Sequence, residues 1–341
     1  MCLVYPNSYF VGMSNLGFQA IYRLFNSLDY VVCERAFLPD TGEIAEFERT
    51  STLLFSLESQ RPLAEFDIIA FSISFEEDYL NILKIFDLAR MPFLSQERDA
   101  AKPLVMAGGV AVTLNPEPIA DFFDLFAVGE GEEFAAEFLD GFRAARHKTK
   151  TKQGLLQALT SVQGVYIPGF YTVTYPCPVV SLNGKGDAIK EFKATIKEAP
   201  EKINPVRTVF SNGVKSRKVK NLDSFPIPVS NILTNETNFR NTYLLEVERG
   251  CGRGCRFCAA GFVYLPPRER GLQSLKHEVL EGMAATKKVG FVGAAVSEYS
   301  GLKPLCKTVI ENTGELTLSS IRLDALNQES LQLFKSGGYK T

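Results

Sequence analysis

Residues 66–75 form an apolar, β-branched run of the kind found in a strand buried on both faces, and such strands occur where helices cover both sides of a parallel sheet. The rest of the first 150 residues supports that reading. Residues 3–5 read as a short strand. Residues 15–28 read as a helix with Leu16, Ile21, Leu24, Phe25 and Leu28 near one face, and residues 30–36 as a second strand. A helix over 78–90 follows, then strands over 104–107 and 125–128 that run into Gly108-Gly109 and Gly129. Five strands with helices between them predict an α/β fold with a doubly wound parallel sheet, whose ligands sit beyond the carboxyl ends of the strands. Those ends carry residues 7–12, 72–74, 108–109 and 129–131.

The Gly-x-Gly-x-x-Gly turn of a dinucleotide site is absent from this segment. With 341 residues, 45% apolar and 22% charged, the chain has the composition of a globular protein of about two domains. No apolar stretch approaches the roughly 20 residues needed to span a bilayer, and a formal net charge of -2 gives no global attraction to nucleic acid. The start, Met1 to Asn7, has no basic cluster, and Pro6 interrupts its apolar run, so no secretory signal is read. Seven cysteines, an odd number with three of them clustered, point to a reducing cytoplasm in which Cys2, Cys33, Cys177 and Cys306 are free.

Patterning weakens over 151–240. Residues 164–180 are rich in Tyr, Val, Ile and Pro, and Asn183-Gly184 is a hairpin turn signal, which predicts a small β-rich connector. Prolines and charges over 197–228 read as a linker crossing the surface. Two basic runs, Lys215, Arg217, Lys218 and Lys220, and His147, Lys148, Lys150 and Lys152, read as solvated. Neither carries the interleaved aromatics of an RNA-binding module, so a nucleic-acid partner has no support beyond the charge.

Cys251, Cys255 and Cys258 form a Cys-x-x-x-Cys-x-x-Cys array directly after the strand-like run that ends near Val247. Thiolates are the preferred ligands of iron–sulfur clusters, and one loop with this spacing can wrap several corners of a cubane. Three ligands leave one iron open. Gly252 and Gly254 permit the tight wrap, Arg249, Arg253 and Arg256 bring positive charge, and Phe257 is placed to shield the site from water. Two other readings remain open. A zinc site would take a fourth ligand from His277 or Cys306, neither of which has a partner at ligand spacing, and Cys255 with Cys258 alone would make a redox dithiol. After the array, helices over 275–287, 302–311 and 328–335 alternate with strands over 290–296 and 316–323, which reads as successive βα units of a barrel with its chemistry at the carboxyl ends of the strands.

The array with Phe257 before its last cysteine resembles the motif of the radical S-adenosylmethionine (SAM) enzymes. The resemblance extends along the chain to an uncharacterised family of fused cobalamin-binding-like and radical SAM proteins, through residues 4–17, Phe55-Ser-Leu-Glu-Ser59, Asn115-Pro-Glu-Pro118 and Val128-Gly-Glu-Gly-Glu-Glu133. It implies a cobalamin-binding-like domain over 1–150, a connector over 151–240 and the amino-terminal part of a partial TIM barrel over 241–341. More βα units are implied than the three present before Thr341, so the chain is expected to be a fragment of a longer protein, with an exposed edge on its last strand.

The resemblance further implies a 4Fe-4S cluster on Cys251, Cys255 and Cys258, with SAM on the open iron. Reductive cleavage of SAM would yield a deoxyadenosyl radical that abstracts hydrogen from the substrate, with a flavodoxin or ferredoxin as electron donor. The Gly-Gly-Glu motif that contacts SAM after the second strand is degenerate here, leaving Ser297 and Glu298 as candidates there and Ser320 and Arg322 after the third strand. Residues 7–12 are similar in register to the Asp-x-His-x-x-Gly loop of cobalamin-binding domains, with Asn7 and Tyr9 in place of the first two residues and Gly12 retained. Cobalamin would therefore bind without a histidine below the cobalt, beside Asn7, Tyr9, Gly12, Ser72, Ser74, Gly108 and Gly109, and would make methyl transfer to an unactivated carbon accessible. The other readings are a flavodoxin-like scaffold without a cofactor, a non-catalytic corrinoid- or metal-binding module, and an inactive fragment. The substrate and oligomeric state are not specified by the sequence.

Overall fold

The computed structural model describes residues 1–174, 202–205 and 214–339. Strands β1 (Cys2–Tyr5), β2 (Glu34–Phe37), β3 (Ile68–Ser72), β4 (Leu104–Gly108), β5 (Leu125–Ala127) and β6 (Val165–Tyr166) build one sheet in the order β2-β1-β3-β4-β5-β6. The first five are parallel and β6 runs antiparallel to β5. The order of the parallel strands, 2-1-3-4-5, is doubly wound, with its topological switch point between β1 and β3. Alternation along β3 accounts for the two-sided burial read from its sequence. Ile69 and Phe71 join one core with Val4, Ile85 and Phe126, while Ile68 and Ala70 join the other with Leu3, Phe18 and Phe138.

Several boundaries differ from the sequence reading. The second strand begins at Glu34 rather than Tyr30, and Val32 is 70% exposed. Cys33 exchanges hydrogen bonds with the side chain of Asn26, and the Met1 ammonium donates to Val32 O. Polar groups that a ladder would use are committed to closing the preceding helix. That helix spans Leu16–Asn26, with Asn15 as its N-cap accepting from Phe18 N at 2.9 Å. Ahead of it, residues expected in a loop form a short helix, Tyr9–Met13.

Within the expected connector, β6 belongs to the first sheet, and β7 (Tyr171–Thr174) pairs antiparallel with β8 (Lys202–Pro205). The Asn183-Gly184 turn lies outside the described residues. The described part of the expected surface linker is instead packed, since Val219 and Leu222 are buried. Its basic run is not uniformly solvated either. Arg217 is buried, donates to Gln163 O at 2.7 Å and pairs with Glu133 and Glu137, and its backbone bridges to Gly129. In the other run, Lys152 pairs with the fully buried Asp124 at 2.6 Å beside Arg98.

A second parallel sheet follows, made of β9 (Tyr243–Glu246), β12 (Lys288–Val292) and β13 (Glu315–Leu318) side by side in that order. In the stretch of chain that connects β9 to β12, β10 (Glu248–Arg249) and β11 (Arg268–Glu269) form a separate two-residue antiparallel ladder. Helices Leu272–Ala285, Leu302–Glu311 and Gln328–Ser336 cover one face, with Leu275, Val279, Leu305 and Phe334 packed on Leu245 and Phe291. The strands β12 and β13 end at Val292 and Leu318, earlier than their apolar runs implied, so Ser297, Ser320 and Arg322 stand in the loops beyond them. The outer side of β9 meets Pro228–Ser230, and Leu316 N of β13 donates to Gly337 O at 2.7 Å, so both edges are in part met by chain. No helix among the described residues is long and apolar enough to cross a membrane.

Candidate functional site

The carboxyl ends of both parallel sheets border one cavity of about 590 Å³. From the first sheet come Ser72 and Ser74 at the end of β3 and beyond it, Gly108 and Gly109 likewise at β4, and Gly129 to Glu132 after β5. From the second come Glu246, Glu248 and Arg249, then Gly250, and Val292 to Ala294 after β12. Gly109 has φ +113°, and a Cβ there would stand 2.3 Å from Ile73 O, so only glycine lets the chain turn this closely past β3.

The cysteine loop leaves this cavity wall at Gly250 and returns through Ala260, both of which line it. Gly250 has φ +91°, and a Cβ would meet Tyr264 O at 2.3 Å, so the loop crosses its own base only because glycine is there. Cys251, Cys255 and Cys258 are half-buried on the loop, and Cys258 N donates to Cys255 O at 3.0 Å. Among the described residues, no three histidine, cysteine, aspartate or glutamate side chains are gathered closely enough to hold one metal ion. In kind, the donor set fits an iron–sulfur cluster, with three accessible thiols on one short loop. Burial pushes the Cys33 and Cys306 thiols up to about 12 and raises Cys2 well above the ordinary thiol value, leaving those three as packing residues. Neither proposed fourth zinc ligand joins the loop. Cys306 is inside the second core and His277 is exposed on the helix Leu272–Ala285. Phe257, expected as a water shield, is 93% exposed and points outward.

Ser297, Glu298, Ser320 and Arg322 come together beside this loop. Ser297 Oγ accepts from Arg322 N at 2.9 Å, and Ser297 N donates to Ser320 O at 3.3 Å. Glu298 pairs with Arg322 at 3.1 Å and with Arg253 of the cysteine loop. The Asp324 carboxylate first, then Glu298 and the nearby Cys255 sulfur, hold Arg322 above the ordinary guanidinium value. The expected cobalamin-side residues divide. Ser72, Ser74, Gly108 and Gly109 line the cavity, whereas Asn7, Tyr9 and Gly12 do not. Asn7 donates to Asp78 Oδ1 at 2.7 Å, the Tyr9 ring meets Phe37 edge-on, and a Cβ on Gly12 would press on Phe37 at 2.5 Å. Those three therefore pack the first helices onto the sheet.

Charged residues of the cavity wall join the two sheets, and of them sequence reasoning singled out Arg249, for a different partner. Glu130, buried after β5, takes both guanidinium nitrogens of Arg268 at 2.7 and 2.9 Å, the Val219 N–H at 2.7 Å, and Arg249 at 3.2 Å. Arg249, two residues before Cys251, also pairs with Glu132 at 2.6 Å and Glu246 at 2.8 Å, and Glu246 holds Arg270 at 2.9 Å. Burial alone pushes Glu130 up, but the Arg268 hydrogen bonds, the Arg249 charge and the Val219 N–H outweigh it and hold the carboxyl below its usual range. Burial likewise opposes the charge of Arg249, and Glu246 followed by Glu132 overcome that and raise it. The signal was present in Val128-Gly-Glu-Gly-Glu-Glu133, but which arginines face those carboxylates depends on the packing of the two sheets.

Residues 17–168 match the family model described as radical SAM proteins, N-terminal. The chain is 26% identical over 339 residues to the uncharacterised protein MJ0966 of Methanocaldococcus jannaschii, which covers 98% of this chain and 58% of that protein. Two structures of the radical SAM methyltransferase TsrM from Kitasatospora setae share its fold with TM-scores of 0.51, at 12% identity for the form with tryptophan and a SAM analogue and 11% for the form with cobalamin and a [4Fe-4S] cluster. The likeness covers 98% of this chain and 57% or 58% of TsrM, so the chain spans a little over half the length of the proteins it matches. The segment matched by the family model is a little under half of the chain, and the doubly wound sheet followed by a second parallel sheet is a fold the chain shares with TsrM.

Proposed function

We propose that this chain forms the cluster- and SAM-binding part of a radical SAM enzyme whose chemistry takes place in the cavity between its two sheets, with a corrinoid held against the first sheet. The observation that carries the reading is the placement of the three-cysteine loop, whose two ends line a cavity bordered by the strand ends of both sheets. Cys251, Cys255 and Cys258 would hold a 4Fe-4S cluster, which when bound supplies the electron for reductive cleavage of SAM. The side chains Ser297, Glu298 and Arg322 form a polar rim beside that loop, suited to orienting the ribose and carboxylate of a nucleotide ligand. Ser72, Ser74, Gly108 and Gly109 give the first sheet's side of the cavity a surface of small residues, against which a flat macrocycle can lie. The mostly apolar remainder, including Val263 and Val292, excludes water from a reactive species.

Anaerobic reconstitution with iron and sulfide tests the reading. About four irons per chain, an EPR signal that changes when SAM is added, and deoxyadenosine after reduction are expected, and each should be lost in Cys255→Ala. A chain that takes up zinc and leaves SAM intact would overturn it.

A further inference from the structure

The cysteine loop, residues 250–267, is closed at its base by the two-residue ladder of β10 and β11. That ladder sets like against like, because Arg249 stands directly opposite Arg268 and Glu248 directly opposite Glu269. Like charges at opposed positions of an antiparallel pair repel, and a two-stranded pair this short is marginal even without them. What closes it comes from outside the ladder. On the carboxylate pair, Glu248 Oε1 accepts the Ala295 N–H at 2.6 Å, and Glu269 accepts the Ser300 N–H at 3.1 Å and the Ser300 hydroxyl, so the loop after β12 holds both. On the arginine pair the partner is Glu130, from the turn after β5 in the first sheet. Its carboxylate takes Arg268 at 2.7 and 2.9 Å and Arg249 at 3.2 Å, with the side chains of Glu130, Arg268 and Arg249 only 4%, 8% and 12% exposed. Arg249 has Glu132 and Glu246 besides, but among the described residues Glu130 is the one carboxylate that pairs with Arg268. Two largely buried cations facing each other across a short ladder need a shared anion, and it is the first sheet that provides it.

We propose that Glu130 is a positioning residue of the cysteine loop: through this one carboxylate the first sheet closes the ladder that carries Cys251, Cys255 and Cys258. Arg249 lies two residues before Cys251, so the ladder fixes where the array begins. Arg268 donates in turn to Tyr264 O at 3.2 Å and Pro266 O at 3.1 Å, so the guanidinium that Glu130 orients also holds the returning limb of the loop. A change at the strand ends of the first sheet therefore reaches the thiols without touching them. The inference concerns how the loop is held and does not depend on which metal centre it carries.

The test reads hydrogen–deuterium exchange by mass spectrometry over residues 248–269 of the full, metal-free chain. Glu130→Gln keeps the size of the side chain and an acceptor for the Val219 N–H, and removes the charge. Exchange over 248–269 is expected to rise about tenfold, while β3 and β12 keep the protection they have in the wild type. In an Arg249→Gln background, where the ladder no longer opposes two cations, Glu130→Gln is expected to add about threefold at most. After anaerobic reconstitution, the Glu130→Gln chain is expected to bind less iron than the wild type. Unchanged exchange over 248–269, a rise shared equally by β3 and β12, or an undiminished rise in the Arg249→Gln background would each overturn the proposal. So would a Glu130→Gln chain whose ladder is loosened but which binds iron as the wild type does. A wild-type chain that takes up no iron would overturn the cluster reading instead, and the exchange measurements would still decide the role of Glu130.

Discussion

Two buried carboxylates show how environment sets opposite roles for the same chemistry. Asp78, 3% exposed at the switch point between β1 and β3, has its Oδ1 bonded to Asn7 and no hydrogen-bond partner on Oδ2 among the described residues. Burial raises it, with Asn7 and Asn81 opposing. A carboxyl raised in the folded state binds its proton more tightly there than in the unfolded chain, so its contribution is intact at low pH and is lost as pH rises through the folded value. Asp78→Asn should therefore match the wild type most closely at acid pH and gain on it towards neutrality, as read from urea midpoints across pH. Glu130 is lowered, so its contribution is present above the unfolded value and lost as pH falls through the folded one. Glu130→Ala leaves Arg268 and Arg249 buried without their shared partner, and a loss of about 3 kcal/mol is expected. Thermal melting should place Glu130→Gln between the two.

Among elements, the cysteine loop depends on its base more than on its tip. The tip is solvent-facing, with Phe257 projecting outward, so Phe257→Ser should change stability by no more than about 0.5 kcal/mol in a melting experiment. At the base, Gly250→Ala would place a methyl against Tyr264 O in a backbone conformation that alanine resists. A destabilisation of about 1–3 kcal/mol is expected, together with less iron bound per chain after reconstitution. If Gly250→Ala bound iron as the wild type does, the base would not be what shapes the loop. The sequence marked this element clearly, because cysteine spacing is a local property. Its surroundings were less legible. Arg249 was read as charge offered to the thiolates, but its guanidinium is engaged by Glu130, Glu132 and Glu246, two of which come from a segment more than a hundred residues earlier.

At the scale of the whole molecule, the two sheets meet strand end to strand end, and the segment 214–232 that joins them is packed rather than loose. Arg270 holds Leu222 O and Phe225 O, and the side chain of Asn231 and the N–H of Ile232 bond to Gln19. The cavity between the sheets is the proposed place for a corrinoid, so Ser72→Phe, which fills its first-sheet side, is expected to weaken cobalamin uptake about tenfold in equilibrium dialysis with little change in melting. The parallel α/β architecture and the three-cysteine loop were legible in the sequence, because two-sided strand burial and ligand spacing are written in contiguous residues. Strand ends were less so. A polar group that closes a helix, as the Asn26 side chain does with Cys33, removes residues from a ladder without changing their apolar pattern. Only the tertiary structure decided that Ser72 and Gly109 face the cavity while Asn7, Tyr9 and Gly12 pack a helix, and that among the described residues Glu248 has no cation where its neighbours have theirs. Those outcomes depend on which side chains two separately patterned sheets bring within a few ångströms of one another, a distance that spacing along the chain does not encode.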